Sequence, residues 1–364
     1  MKDRLLALDI FRGLTIAFMI LVNTPGSWSY VYGPLRHAEW DGCTPTDLVF
    51  PFFIFIVGVS MSYSFNKYQA GDRSKWIAKI LKRTAIIFSI GIALNWFPYY
   101  SKHISELRIF GVLQRIALAY GGAALLVVFL RNKSLLKGTF LILLLGYWLL
   151  LLLLGGDDPL SLSNNLVRKV DVFLFGENHL YGGYGMPFDP EGLLSSIPSI
   201  ATALLGYFVG KEIQKQNDLN LLTKRLVGFG FLFIAVATAW HLLGFPINKP
   251  IWSSSYVLFS GGIAMSLLGL LLWILDIKKW TSWATPFKAF GLNPLVSYIL
   301  SGLFVKTSFL IKIDGINLYS WFYTNIFQNL LGNYPGSLAF AISYVCFIWI
   351  FAWLLYRKGK VIKV

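Results

Sequence analysis

The sequence has few charged residues, few histidines and few cysteines. Only 13% of its 364 residues are charged and 56% are hydrophobic, with a mean hydropathy of +0.62. A soluble domain of this size carries about 25% charged residues. Because so apolar a chain could not cover its surface with polar groups in water, the composition predicts an integral membrane protein with the lipid bilayer as its solvent.

The shortage of cysteine and histidine limits the chemistry. Cys43 and Cys346 are too few for a disulfide framework and lack the spacing of metal ligands, so we expect no metal. Cys43 could accept an acyl group, but its acidic neighbours in the chain would raise the pKa of the thiol. No Walker loop, dinucleotide-binding glycine pattern, zinc motif or nucleophile elbow occurs in a usable context.

Basic residues exceed acidic ones. The net charge is +15 and the pI is near 9.7, which in a soluble protein would suggest nucleic acid. The lysines and arginines fall instead in short segments between apolar runs, as in the cytoplasmic loops of membrane proteins. We therefore expect no nucleic acid partner.

Long apolar runs dominate the chain. A membrane-spanning helix needs about 20 apolar residues. The first run follows a short basic N-terminus without a small-residue cleavage site, so we predict a retained helix and not a signal peptide. The predicted fold is all-α, a polytopic bundle of about ten transmembrane helices forming a single domain over residues 1–364. The runs are 5–24, 47–66, 81–97, 109–130, 135–154, 191–210, 224–244, 254–275, 287–311 and 337–356.

The distribution of positive charge predicts the orientation. With the N-terminus inside and the spans alternating, 22 lysines and arginines lie on the inner side and 8 on the outer side. This bias places both chain ends in the cytoplasm. The outer segments 25–46 and 155–190 are too long for plain connectors, and long ordered loops are usually functional.

Ionisable and amide groups within the apolar runs are functional candidates, because they are costly in lipid. Asp9 and Arg12 share one helix face, either as a buried ion pair or as part of a site for an anionic ligand. Gln114 and Arg115 form either an interhelical hydrogen-bond node or the wall of a polar cavity.

The segment from Asn23 to Asp47 has the densest group of reactive side chains. His37 is either a general acid or base, since imidazole titrates near neutrality, or an interfacial loop histidine without a chemical role. Asp47 could cap the second helix, orient the imidazole, or do both. His179, in the second long loop, stands among aromatic and acidic residues, a combination that suits a sugar.

Seven short runs have spellings that are specific when taken together. They are Leu8–Gly13, His37–Gly42, Thr46–Pro51, Arg108–Arg115, Phe188–Gly192, Asn248–Ser253 and Leu292–Pro294, and they span residues 8 to about 294. In these runs and in their order the chain resembles the heparan-α-glucosaminide N-acetyltransferase family, in the form of its shorter bacterial members.

The resemblance implies a reaction in which cytoplasmic acetyl-CoA donates its acetyl group to the amine of a glucosamine on the other side of the membrane. It implies that His37 and Asn23 are the catalytic pair. A base near neutrality would take the proton of the amine, and a side-chain amide would donate to the oxyanion. We expect Asp47, Trp40 and Asp9 to support them.

The remaining expected site residues bind the two substrates. We expect the phosphates of acetyl-CoA near Arg12, Lys82, Arg83, Gln114, Arg115 and Lys288, and the amino sugar or glycan terminus near Asp189, Glu191, Asn248, Lys249, Trp252 and Asn293.

Two other functions remain open. One is O-acetylation of an envelope polysaccharide, and the other is transport of a sugar or acyl compound without acyl transfer. Transporters often have related halves and discontinuous helices, and the sequence has no such pairing. The expected location is a bacterial cytoplasmic membrane, with a homodimer as a possible assembly.

Overall fold

The computed structural model describes residues 5–66, 73–100 and 103–362. Lys2, Arg4, Lys67, Lys102 and Lys363, which entered the charge distribution, lie outside the described residues.

Helices are nearly the only regular secondary structure in the described chain, which confirms the all-α prediction. Its one sheet within the described residues is a hairpin of β1 (Lys312–Ile313) and β2 (Ile316–Asn317). The helices are α1 (Leu6–Asn23), α2 (Pro45–Asn66), α3 (Arg73–Trp96), α4 (Val112–Phe129), α5 (Lys133–Leu154), α6 (Leu166–Phe175), α7 (Ser196–Lys215), α8 (Leu219–Leu242), α9 (Ser254–Leu271), α10 (Thr285–Leu292), α11 (Pro294–Leu310), α12 (Leu318–Phe322), α13 (Asn329–Leu331) and α14 (Asn333–Arg357).

Each of the ten apolar runs falls on one or two of these helices. Within the described residues, seven helices are long and apolar enough to cross a membrane, namely α1, α2, α4, α5, α8, α14 and α9 with its π-helical extension to Ile277. Counting α10 and α11 as one broken span gives eight. The helices α3 and α7 are also long enough, but they are less apolar. A polytopic membrane bundle is confirmed, whereas the count of ten spans stays a prediction.

The run 287–311 is not one straight helix, as its hydropathy alone suggested. The chain bends by 87° between α10 and α11. Pro294 begins α11, and a proline ring disfavours helical geometry in the residue before it. Asn293 accordingly leaves the helix with ψ of 53°.

Glycines allow the helices to approach closely at several crossings. A Cβ on Gly13 of α1 would overlap the carbonyl of Phe287 on α10, and one on Gly291 would overlap the carbonyl of Asp9. Gly58 of α2 meets the α7 backbone in the same way. Small residues at such crossings are typical of membrane helix packing, where close backbone contact supplies the attraction.

The two long loops lie together over one end of the bundle, here called the loop end. The indole N–H of Trp40 in the first loop donates to the carbonyl of Leu160 in the second at 2.9 Å. Trp40 also packs edge-on against Tyr184 and Phe188. The loop between α8 and α9 joins them, since the backbone N–H of Gly42 donates to Ile247 at 2.7 Å. The loops therefore form one layer at this end.

Candidate active site

A cavity of about 360 Å³ opens beneath this layer, between the loop-end parts of α1, α2, α3, α4 and α11. Four of the predicted site residues line it: Asn23, His37, Glu191 and Lys249. The inner part of its wall is largely apolar, with Met19 and Ile20 of α1 among its residues. The other polar residues in the wall are Thr24, Thr46, Asn95, Tyr298, Ser301 and Lys306.

His37 is held by a buried carboxylate. Its Nδ1 lies 2.6 Å from Oδ1 of Asp47, which is 1% exposed. The other carboxylate oxygen accepts from the backbone N–H groups of Ala38 and Thr44, both at 3.0 Å. Asp47 is the third residue of α2 and therefore not its N-cap, as one of the two expectations had it. Its carboxylate accepts instead from the N–H of Thr44, just before the helix, and orients the imidazole, as the other expectation had it. With Nδ1–H donating to Asp47, Nε2 is the ring nitrogen left to act as a base.

Lys249 stands on the other side of this pair. Its Nζ lies 3.0 Å from Nδ1 of His37 and 3.2 Å from Oδ1 of Asp47. The ammonium therefore donates to the same oxygen that holds the imidazole. His37, Asp47 and Lys249 form a compact group of one imidazole, one carboxylate and one ammonium.

Asn23 is the last residue of α1 and its side chain is exposed to the cavity. One hydrogen of its Nδ2 goes to the carbonyl of Met19 at 2.8 Å, one turn earlier in the helix. This bond fixes the amide and leaves its second hydrogen as a donor toward the cavity.

Glu191 reaches the cavity from a loop that two arginines hold. Arg108 binds both carboxylate oxygens of Asp189 at 2.8 Å and Glu191 at 2.5 Å. Burial lowers the pKa of Arg108, but the hydrogen bonds and charge of Asp189 and Glu191 outweigh it and raise the pKa above its usual value. Asp189 is fully buried and is not part of the cavity wall, so it supports Glu191 from behind.

Arg115 is buried inside the protein. Its guanidinium donates to the carbonyls of Pro190, Gly192 and Ser195 at 3.0–3.1 Å, and it lies 5.1 Å from the centre of the Trp252 ring. Arg115 is therefore a hydrogen-bond node, as one of the two predictions had it, and not part of the wall of the cavity described above. It holds the loop that contains Glu191. Gln114 likewise donates within the protein, to the carbonyl of Ile109 at 3.0 Å.

The cavity wall also includes three residues that are not among those predicted from the sequence. Asn95 on α3 donates both amide hydrogens, to the carbonyls of Arg108 and Phe110 at 3.0 Å and 2.8 Å. Lys306 on α11 donates to the carbonyls of Leu94 and Phe97 at the end of α3. The sequence does contain a signal for Lys306, because a charged residue within an apolar run is costly in lipid. The third residue, Tyr298, has no such signal in the sequence.

Other predicted site residues lie elsewhere. Asp9 is fourteen residues before Asn23 on α1, a distance of about 21 Å along the helix axis. Arg12 joins three helices there, donating to Asp9, to the carbonyl of Gly291 at 3.1 Å and to Ser60 at 2.7 Å. Within the described residues, the cavity wall contains none of Arg12, Lys82, Arg83, Gln114, Arg115 and Lys288.

Three expected substrate residues are buried and shape the loops. Asn248 donates to Asp41 at 3.0 Å and accepts from the backbone of Ile251 at 2.9 Å. Trp252 is 1% exposed and packs in the core. Asn293 binds the backbone of Lys360 and Ile362 after α14, at 3.0 Å and 2.8 Å.

Cys43 is a poor candidate for an acyl acceptor. Burial, reinforced by the nearby charge of Asp47 and partly offset by Lys249, raises the pKa of its thiol to about 12. At neutral pH the thiol is protonated, and a thiol is far less nucleophilic than a thiolate. Within the described ranges no cluster of three or more His, Cys, Asp or Glu residues could hold a metal ion.

Comparisons with known proteins agree with the resemblance in the motifs. The family model for the catalytic region of heparan-alpha-glucosaminide N-acetyltransferase matches residues 4–225. The chain is 31% identical over 352 residues to the Mus musculus protein of that name and 30% identical over 354 residues to the Homo sapiens protein. Each match covers 82% of this chain and 53% of the relative, so the chain spans about half the length of these curated relatives. The chain belongs to the heparan-alpha-glucosaminide N-acetyltransferase family.

Proposed function

We propose that the protein transfers the acetyl group of cytoplasmic acetyl-CoA to the amine of a glucosamine-type sugar at the loop end of the bundle. The observation that carries the proposal is the 2.6 Å contact between His37 and the buried carboxylate of Asp47, on a cavity that Asn23 also lines. A base held in one orientation and an amide donor are the two groups that acyl transfer to an amine requires.

The chemistry follows from these two groups. The unprotonated amine attacks the thioester carbon, forming a C–N bond and placing negative charge on the carbonyl oxygen. The free amide hydrogen of Asn23 donates to this oxyanion. The nitrogen gives up its surplus proton to Nε2 of His37, the C–S bond breaks, and the imidazolium returns the proton to the departing thiolate. The products are the N-acetyl sugar and CoA with a free thiol.

The donor would approach from the opposite end of the bundle. Its phosphates need cations, and Lys82 is exposed on the N-terminal half of α3, next to Arg83. Lys288 of α10 is a further candidate. Half a bundle is roughly 15 Å deep, comparable with an extended pantetheine arm, so the acetyl group could reach the cavity without passage of the whole cofactor.

The acceptor would occupy the loop end. Glu191 is an acidic acceptor group in the cavity wall that suits the hydroxyl or amine groups of a sugar. The cavity volume of about 360 Å³ is enough for one sugar ring and the acetyl thioester, and too small for a long glycan. We therefore propose that a terminal sugar enters it.

The test uses purified protein in detergent with acetyl-CoA and glucosamine. We expect CoA thiol release and N-acetylglucosamine by mass spectrometry, and a rate lower by roughly 10²–10⁴ in His37→Ala. The matched control is His103→Ala, which removes an exposed histidine outside the cavity wall. Unchanged turnover in His37→Ala would exclude His37 from the mechanism.

Acceptor choice separates the competing functions. Acetylation of glucosamine at nitrogen, with none of glucose, supports the proposal. Transfer to hydroxyl groups alone would favour the polysaccharide O-acetyltransferase. Accumulation of sugar in vesicles that lack acetyl-CoA would favour a transporter.

A further inference from the structure

Lys249 contacts the proposed base and its carboxylate at the same time. With a neutral imidazole, the group of His37, Asp47 and Lys249 has a net charge of zero, because the Lys249 ammonium already balances Asp47 at 3.2 Å. Adding a proton to His37 would place a second cation on one carboxylate, with Nδ1 only 3.0 Å from Lys249 Nζ. A like charge at this distance disfavours the protonated form.

We propose that Lys249 is a positioning residue that keeps His37 in its neutral, proton-accepting form. This role rests on the proposed function, in which His37 acts as a base. It differs from the expectation that Lys249 binds the sugar. The ammonium is directed at Asp47 and His37, and only 15% of its side chain is exposed.

The loop that contains Lys249 is built to hold this position. The neighbouring Asn248 is fully buried and bonds to Asp41, to Ser253 Oγ and to the backbone of Ile251. The carbonyl of Lys249 itself accepts from the N–H of Trp252 at 2.9 Å. The Lys249 side chain therefore starts from a fixed backbone.

Trp252 also holds the turn that contains Lys249. Its φ is +51°, a left-handed conformation that is unfavourable for a bulky residue. The cost is offset by its surroundings, since the indole N–H donates to Thr202 at 3.2 Å and the ring packs on Phe50 and Tyr256 and beneath the Arg115 guanidinium. Tight packing of this ring keeps the turn in the shape that presents Lys249.

The other charges around His37 do not replace Lys249. Glu191 lines the same cavity but is paired with Arg108 at 2.5 Å. Lys306 also lines the cavity, and its ammonium donates to carbonyls at the end of α3. Arg36, next to His37 in the chain, donates to the carbonyls of Val31 and Ser29. Asp47 and Lys249 are therefore the charged groups in direct contact with the imidazole among the described residues.

The test compares Lys249→Met, which removes the charge, with Lys249→Arg, which keeps it. Lys306→Met is the matched control, because it removes from the same cavity wall a cation that donates to the carbonyls of Leu94 and Phe97. The first measurement needs no substrate: diethylpyrocarbonate modifies neutral imidazole, and peptide mass spectrometry gives the rate at His37 as a function of pH. The exposed His103 is the internal reference in each sample.

We expect the pH of half-maximal His37 modification to rise by about one to two units in Lys249→Met, and to stay near the wild-type value in Lys249→Arg and Lys306→Met. The acid limb of the acetyl-transfer profile should move in parallel. A Lys249→Met profile that superimposes on the wild type would overturn the proposal. If Lys249→Met does not fold, Lys249→Gln removes the same charge with a polar side chain.

The two measurements separate the two proposals. If Lys249→Met shifts the modification profile of His37 but the wild-type protein has no acetyl-transfer activity, the effect of Lys249 on His37 stands and the proposed reaction is wrong. If the wild-type protein transfers acetyl groups and Lys249→Met shifts neither profile, the proposed reaction stands and the role of Lys249 is wrong.

Discussion

The hydroxyl oxygen of Tyr298 is the atom whose removal we expect to affect the rate. Its ring is part of the wall, and its hydroxyl makes no hydrogen bond to another described residue. We expect Tyr298→Phe to lower kcat by about tenfold, because a hydrogen-bond donor near the reacting groups is lost. The control is Tyr344→Phe, whose hydroxyl donates to the carbonyl of Ser301 at 2.7 Å and is not part of the wall. It should cost about 1 kcal/mol of stability and leave kcat unchanged. Equal rates in Tyr298→Phe and the wild type would exclude the phenol from the reaction.

Asp171 should make stability depend on pH. It lies in α6 at 0% exposure, one of its oxygens has no partner within the described chain, and burial raises its pKa from 3.8 to about 7. The folded state therefore keeps a proton that the unfolded state releases between these values. Its contribution is fully present below pH 3.8 and is lost as the pH rises through about 7.

The measurement is the thermal midpoint in detergent at pH 5 and pH 8. Relative to the wild type, Asp171→Asn should gain a few kcal/mol at pH 8 and much less at pH 5, so its midpoint should vary less with pH. Asp158→Asn, an exposed change in the same loop, should follow the wild type. A wild-type pH dependence in Asp171→Asn would contradict the assignment.

At this scale the sequence predicted residues of the cavity wall better than the residues that support them. His37, Asn23, Glu191 and Lys249 were recognisable by their type, position or motif, and they line one cavity. The sequence could not separate Lys249 from Asn248, because a lysine beside an imidazole and an asparagine that folds a loop look alike in a motif. Tertiary contacts alone distinguish them.

The helix α1, which ends at Asn23, crosses α10 at close range. We expect Gly13→Ala to lower the stability by about 2 kcal/mol or more, since the new methyl would meet the backbone of Phe287. Gly138→Ala in α5 is the control: nothing lies within 4 Å of its Cβ position, so alanine should be neutral or stabilise the helix by up to about 1 kcal/mol. Thermal unfolding in detergent measures both, and a neutral Gly13→Ala would contradict the close crossing.

Helices could be predicted from the sequence where an apolar run alone determines them. All ten apolar runs became helical, because lipid forces the backbone to satisfy its own hydrogen bonds. The break at Asn293 was missed, since Pro294 interrupts a run whose hydropathy continues on both sides. The glycine crossings were also hidden, because a glycine in a span reveals nothing about which helix it meets.

The whole molecule should have the orientation that its basic residues predict. In a background without native cysteines, a membrane-impermeant maleimide added to intact cells should label Asp157→Cys and not Lys215→Cys. Both positions are exposed, the first in the long loop before α6 and the second at the end of α7. Permeabilised cells should show labelling of both. The reverse pattern would place the cavity on the cytoplasmic side and remove the need for acetyl transfer across the membrane.

The cavity described above is assembled from two distant parts of the chain. Asn23, His37 and Glu191 lie within residues 4–225, the part that matches the family model, whereas Lys249, Tyr298 and Lys306 follow it. The alignments with the two relatives cover 82% of the chain and therefore extend beyond residue 225. A fragment that ended near residue 225 would keep the proposed catalytic pair and lose three residues of the wall around it, so it should be inactive however well it folds.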